Sequence, residues 1–134
     1  MKITAPFSAV EYDIPRDWLE TAGVLDYSPC AAAYNFTPVP GAIDTLLVRI
    51  DSVRPPFRNI YHHGLDMVRM IRVLSGFRMN QPIPAVSVVR GKAGYCFDVH
   101  DGFHRYVASV YCGFPQLPVS IVEVVELAEC ACAD

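Results

Sequence analysis

The sequence predicts an α+β fold, a small mixed β-sheet with flanking helices. Three observations carry that prediction. From Leu46 onward, strand-like and helix-like patterns alternate in the order β, α, β, β, α, β. Two of the strands are joined by the short turn Gly91-Lys92-Ala93-Gly94, so one pair is an antiparallel hairpin and the sheet is not purely parallel. The chain has 134 residues, 52% of them hydrophobic, which is enough for one core and too short for two domains.

Taken in order, Pro15 and the run Arg16-Asp17-Trp18-Leu19-Glu20 predict a helix of about two turns that stops at Gly23. Pro29, Pro38, Pro40 and Gly41 follow, with Tyr27, Tyr34 and Phe36 among them. A proline-rich stretch with aromatics reads as an arm, so residues 1–45 are expected to pack on a core domain of residues 46–134 with a short C-terminal tail. Leu46–Ile50 reads as the first strand. Arg54-Pro55-Pro56-Phe57-Arg58 is extended, because each proline disfavours helix before it. Residues 64–76 read as a helix whose apolar stripe is Met67, Met70, Ile71 and Leu74, ended by Gly76. Ile83–Val89 is a β-branched strand, and residues 95–100 alternate as its hairpin partner. A helix from Phe103 to Cys112 carries Phe103, Tyr106, Val107 and Val110 on one face and is capped by Gly113. Val119–Val125 is the last strand.

Composition excludes several classes of function. No run of 18 apolar residues is present, which argues against a spanning helix. Pro6 and Glu11 interrupt any signal-peptide core, so a cytoplasmic protein is expected, with no membrane partner. Cys30, Cys96, Cys112, Cys130 and Cys132 are odd in number and contain no CxxC, which suits reduced thiols. The net charge of −3 argues against non-specific nucleic-acid binding without excluding it. That charge is uneven, however. Residues 49–78 hold six arginines against Asp51 and Asp66, so the middle of an acidic chain can face an anion.

The informative segment is Asp98-Val99-His100-Asp101-Gly102-Phe103-His104-Arg105-Tyr106. A strand ends, a glycine turns the chain, and a helix begins with His and Arg in its first turn. A helix start presents N–H groups without helical partners and a partial positive charge, which favours anions. Gly102 permits close approach to the backbone. Arg105 adds a planar charged fork suited to phosphate. His104 is a further donor that could gain charge beside a phosphate. Two basic residues at a helix start have the wrong sign for the helix dipole unless an anion meets them. The alternative is local: Arg105 pairs with Asp101 or Asp98, and His104 is a surface residue.

The order Pro82-Ile83, Gly94-Tyr95, Asp101-Gly102-Phe103-His104-Arg105-Tyr106-Val107-Ala108, Gly113 and Leu117-Pro118-Val119 resembles the ParB/sulfiredoxin family over roughly residues 46–125. The resemblance implies that fold, and nucleotide phosphates bound at Gly102, Phe103, His104 and Arg105. Arg58, after the two prolines, matches the family's Pro-x-Arg and would also reach phosphate. ATP, or another nucleotide, with Mg²⁺ is the implied cofactor, and phosphoryl transfer or hydrolysis the implied reaction. Asp98 or Asp101 would then orient a water or acceptor hydroxyl or hold the Mg²⁺, and His104 would stabilise the transferred group, making these three the candidate catalytic residues.

Phe103 stands where a sulfiredoxin has its nucleophilic cysteine, so sulfiredoxin chemistry is not expected. Asp98, His100, Asp101 and His104 have the residue types of a divalent-metal site, but they are split between a strand and a helix. No protein-ligated metal is therefore expected. His62-His63 reads as a solvated cap. The alternative function is a non-catalytic module that binds a protein or DNA-bound partner through residues 49–78, or a ParB-like nuclease. Oligomeric state is not legible.

Overall fold

The computed structural model describes residues 1–57, 64–91 and 94–122. Arg58, His62, His63, Cys130 and Cys132 lie outside them, as does the end of the strand expected at Val119–Val125. Strands β1 (Lys2–Thr4) and β2 (Glu11–Asp13) form an antiparallel hairpin ahead of helix α1 (Arg16–Ala22). Gly23, at φ +74°, ends α1 in the left-handed conformation and returns its N–H to Glu20 O and Leu19 O. Strand β3 (Phe36–Thr37) comes next, followed by β4 (Asp44–Arg49), a short 3₁₀ turn and β5 (Val53–Arg54).

Helix α2 (Met67–Arg78) precedes β6 (Ile83–Pro84), β7 (Val86–Arg90) and β8 (Phe97–Asp101). Helix α3 (Phe103–Cys112) and β9 (Gln116–Ile121) complete the order. The main sheet runs β4-β9-β7-β8-β5. β4 is antiparallel to β9, β9 parallel to β7, β7 antiparallel to β8, and β8 parallel to β5. The fold is thus α+β with a mixed five-stranded sheet. No helix among the described residues is long and apolar enough to cross a membrane.

Alternation on the strands sets the core. Val86 and Val88 on β7 and Leu117 and Val119 on β9 are fully buried. They meet Met70, Leu74 and Phe77 from α2, Tyr106, Val107 and Ala108 from α3, and Leu19 from α1.

The helix α2 differs from the sequence pattern in three ways. It starts at Met67, because the Asp66 carboxylate caps it by accepting from Arg69 N at 2.9 Å. Its first turn therefore overhangs the core, and Met67 is exposed rather than part of the apolar stripe. Gly76 does not end it. The helix continues to Arg78, and Gly76 is buried where a Cβ would come 2.7 Å from Ile83 Cδ1. Phe77 extends the stripe instead.

The expected strand Ile83–Val89 is two strands. β6 pairs in parallel with β3 of the arm, and β7 joins the main sheet after Ala85. The last strand, expected from Val119, begins at Gln116, and Pro118 lies inside it. Pairing of β9 with β7 begins only at Val119, so the missing Pro118 N–H costs that ladder nothing.

Residues 1–45 lie against the rest of the chain along their length. Tyr12 Oη donates to Pro56 O at 2.7 Å, and Tyr34 Oη donates to Pro84 O at 2.8 Å. The Tyr34 ring stacks on Phe77 at a centroid distance of 4.5 Å. Gln116 N donates to Ala32 O, and Val39 N donates to Ser120 Oγ.

Four buried acids make the fold sensitive to alkali. Burial pushes the Cys112 thiol up to about 12 and raises the Tyr12, Tyr34 and Tyr106 hydroxyls, with Tyr106 adding to the effect on Tyr12. Each stays protonated in the folded chain at pH values where the unfolded chain releases its proton. The unfolded state then binds fewer protons, so stability is complete below about pH 9 and falls as pH rises. From Cys112 alone, the gap between its ordinary value of 9.0 and about 12 corresponds to roughly 4 kcal/mol. Urea titrations from pH 7 to 11 are expected to show a steady fall in midpoint above pH 9. A flat profile would show that these groups ionise in the native state.

Candidate functional site

Gly102 separates β8 from α3. It holds φ +116° and ψ +31°, a conformation that L side chains rarely adopt. A Cβ there would lie 3.0 Å from Arg105 Nη2, 3.1 Å from Arg105 Nε and 3.1 Å from Val86 Cγ1. The bare glycine thus lets the Arg105 guanidinium fold back over the start of α3. Arg105 donates from Nη1 to Pro84 O at 3.3 Å and faces Asp101 across 3.8 Å. The Asp101 carboxylate is 77% exposed, so this pair contributes about 0–1 kcal/mol. The same Pro84 carbonyl accepts from Tyr34, so the N-terminal arm helps to place the arginine.

A cavity of about 400 Å³ opens beside this helix start. α2 contributes Arg69, Arg72 and Val73, β6 and its approach contribute Gln81, Pro82, Ile83 and Pro84, and the other wall is Asp101 to Arg105. Three arginines therefore line one hollow with one aspartate. Among the described residues, Arg69 and Arg72 have no carboxylate partner within ion-pair distance. The start of α3 has no acidic residue in its first turn, and its cap position has no side chain. Among the residues that line the cavity, every charge except Asp101 favours an anion.

Gly102, Phe103, His104, Arg105 and Asp101 are all brought to this cavity. Phe103 is buried, its ring edge-on to Tyr12 at 5.9 Å, so it anchors the first turn of α3 to the core. His104 is not a surface residue. It is 7% exposed, and its Nε2 accepts the backbone N–H of Asp66 at 2.8 Å. An accepting Nε2 carries no proton, so in this geometry that nitrogen is not a donor to phosphate. Asp98 does not line the cavity. β5 runs beside β8 with Arg54 opposite Asp98, and Asp98 Oδ1 lies 2.9 Å from Arg54 Nε, a charge contact without hydrogen-bond angles. Among the described residues no group of three or more His, Cys, Asp or Glu could hold a metal ion.

Arg69 and Arg72 are the residues that sequence reasoning did not single out. Their signal was collective, in the positive balance of residues 49–78. Individually they were only charges off the apolar face of a helix. A second hollow, of about 520 Å³, lies between Phe7, Ile50, Val110 and Phe114. Its one arginine, Arg49, is already bound to Asp51 at 2.7 and 3.1 Å.

No family model matches the chain. No curated protein matches it either. Among solved structures it is similar to a sulfiredoxin from Arabidopsis thaliana, with 16% identity and a TM-score of 0.47 over 60% of this chain and 86% of that one. A likeness of that size says nothing about the chemistry of the cavity.

Proposed function

We propose that the chain binds a nucleotide through its phosphates in the cavity between α2 and α3, with ATP and Mg²⁺ as the default pair, and transfers or hydrolyses a phosphoryl group. The observation that supports it is the gathering of Arg69, Arg72 and Arg105 around one helix start with a single acid. A charge-assisted hydrogen bond contributes about 1.5–3 kcal/mol, and an exposed helix start about 0.3–1 kcal/mol. The arginines therefore dominate, and together they match several phosphate oxygens rather than one. The volume falls within the roughly 300–1,000 Å³ usual for small-ligand pockets.

Asp101, at the rim, has the hard oxygen donors that Mg²⁺ takes, and a phosphate-bound Mg²⁺ needs only one or two protein carboxylates. When bound, the ion would neutralise phosphate charge. Asp101 would hold it or orient the attacking hydroxyl, while Arg105 would meet charge that develops on the transferred group. Phe103 supplies no nucleophile, and the Cys112 thiol is buried and held protonated, so no thiol chemistry is proposed. The exposed free thiols of Cys30 and Cys96 suit a reducing compartment such as the cytoplasm.

The test is a thermal-shift comparison with ATP, ADP, CTP, GTP and inorganic tripolyphosphate, each with Mg²⁺. Ligand at 100 to 1,000 times its Kd stabilises by about 2.7–4.1 kcal/mol, which raises Tm by several degrees. Arg105→Ala is expected to weaken binding about 10- to 100-fold while leaving the fold intact. No shift with any of these ligands would sink the proposal. The rival is a partner-binding module, and the exposed Phe7 beside the apolar hollow is the observation that favours it.

A further inference from the structure

The three arginines come from two helices, so their spacing depends on how α2 sits against α3. A polar contact joins the two helix starts. His104, in the first turn of α3, accepts the Asp66 N–H at 2.8 Å, and Asp66 is the residue whose carboxylate caps α2 at Arg69 N. Arg69 is three residues beyond Asp66, and Arg105 directly follows His104. The buried imidazole is therefore placed between the two sets of cationic side chains.

We propose that His104 is a positioning residue: by accepting the Asp66 N–H it fixes the start of α2, and with it Arg69 and Arg72, against Arg105. This rests on the reading of the cavity as a phosphate site. An apolar residue of similar bulk would fill the same space and leave the Asp66 N–H without its acceptor. The start of α2 would then be free to shift, and a shift of about 1 Å at a multi-point charged site is costly. A glutamine reaches about as far as Nε2, and its side-chain oxygen can accept the same N–H.

The test titrates the full chain with inorganic tripolyphosphate and with Mg²⁺-ATP, for the wild type, His104→Gln and His104→Leu, with far-UV circular dichroism to confirm folding. His104→Gln is expected to bind within about threefold of the wild type. His104→Leu is expected to bind at least tenfold more weakly while folded. Hydrogen exchange at the Asp66 amide gives a second measure, slow in the wild type and the Gln variant and fast in the Leu variant. Should the Leu variant not fold, His104→Asn replaces it, since its amide is too short to reach Asp66 and is expected to weaken binding as the Leu variant would.

A wild type that binds neither ligand overturns the phosphate reading itself. A wild type that binds, with a folded Leu or Asn variant equally tight, overturns the positioning role alone. Equal weakening of the Gln and Leu variants, with Asp66 still protected in the Gln variant, also overturns it, because His104 would then touch the ligand directly.

Discussion

Gly91→Ala is expected to lower the melting temperature by roughly 10 °C or more, a loss of about 3 kcal/mol at a few degrees per kcal/mol for a domain of this size. Gly91 closes the β7–β8 hairpin, where its N–H donates to Cys96 O at 2.9 Å. A Cβ on Gly91 would lie 2.3 Å from Tyr95 O, 2.6 Å from Phe97 N and 2.7 Å from Cys96 C. All three are backbone atoms, so no side-chain rotation relieves the clash and the strand itself must move. That strand is held on both sides, by β7 and by β5, and Cys96 N also donates to Ser52 O. Overpacking of this kind costs about 1–3 kcal/mol in a core that can adjust and more where the backbone is fixed. A thermal melt within 3 °C of the wild type would show that the hairpin has room the structure does not indicate.

Gly102→Ala is expected to act on the site and the fold together. The positive φ costs a non-glycine residue on the order of 1–3 kcal/mol, so Tm should fall by about 4–10 °C. The added methyl also crowds the Arg105 guanidinium at 3.0–3.1 Å, so the arginine must give by a few tenths of an ångström. Under the proposed function, affinity for tripolyphosphate should fall severalfold, because Arg105 is pushed from the position it holds between Pro84 O and Asp101. Gly113→Ala is the matched control. It has φ +80°, but a methyl added there would meet nothing within 4 Å, so it carries the strain without the displacement. If both variants bind as tightly as the wild type, Arg105 does not contribute to the ligand site. If Gly102→Ala keeps its full melting temperature, the strain is absent.

The order of the main elements was legible because local patterns are strong where one face is buried. Helix α3 shows this best. Phe103, Tyr106, Val107 and Val110 mark its face, and Gly102 and Gly113, both at positive φ, mark its ends. Helix α2 was legible as a helix and misread in its details. Gly76 looked like a terminator, because a sequence cannot show that the Ile83 side chain of β6 packs against the helix at that position. Met67 had the right spacing for the stripe, but the core does not extend to the first turn. The hairpin of β1 and β2 was not legible, since strands of three residues contain too few alternations to stand out.

The site divides along the same line. By itself, the sequence determined that a glycine, a histidine and an arginine stand at a strand-to-helix turn, because those residues are neighbours in the chain. It also determined that positive charge collects in residues 49–78. Only the tertiary structure decided which of those charges reach the turn. Arg69 and Arg72 do, because α2 packs beside α3. Asp98 does not, because β5 lays Arg54 against it. The histidine's orientation was likewise decided from a distance, by an Asp66 N–H that is 38 residues away in the chain and 2.8 Å away in space. Local chemistry is set by neighbours in sequence, whereas the pairing of charges is set by packing, which no short window of residues contains.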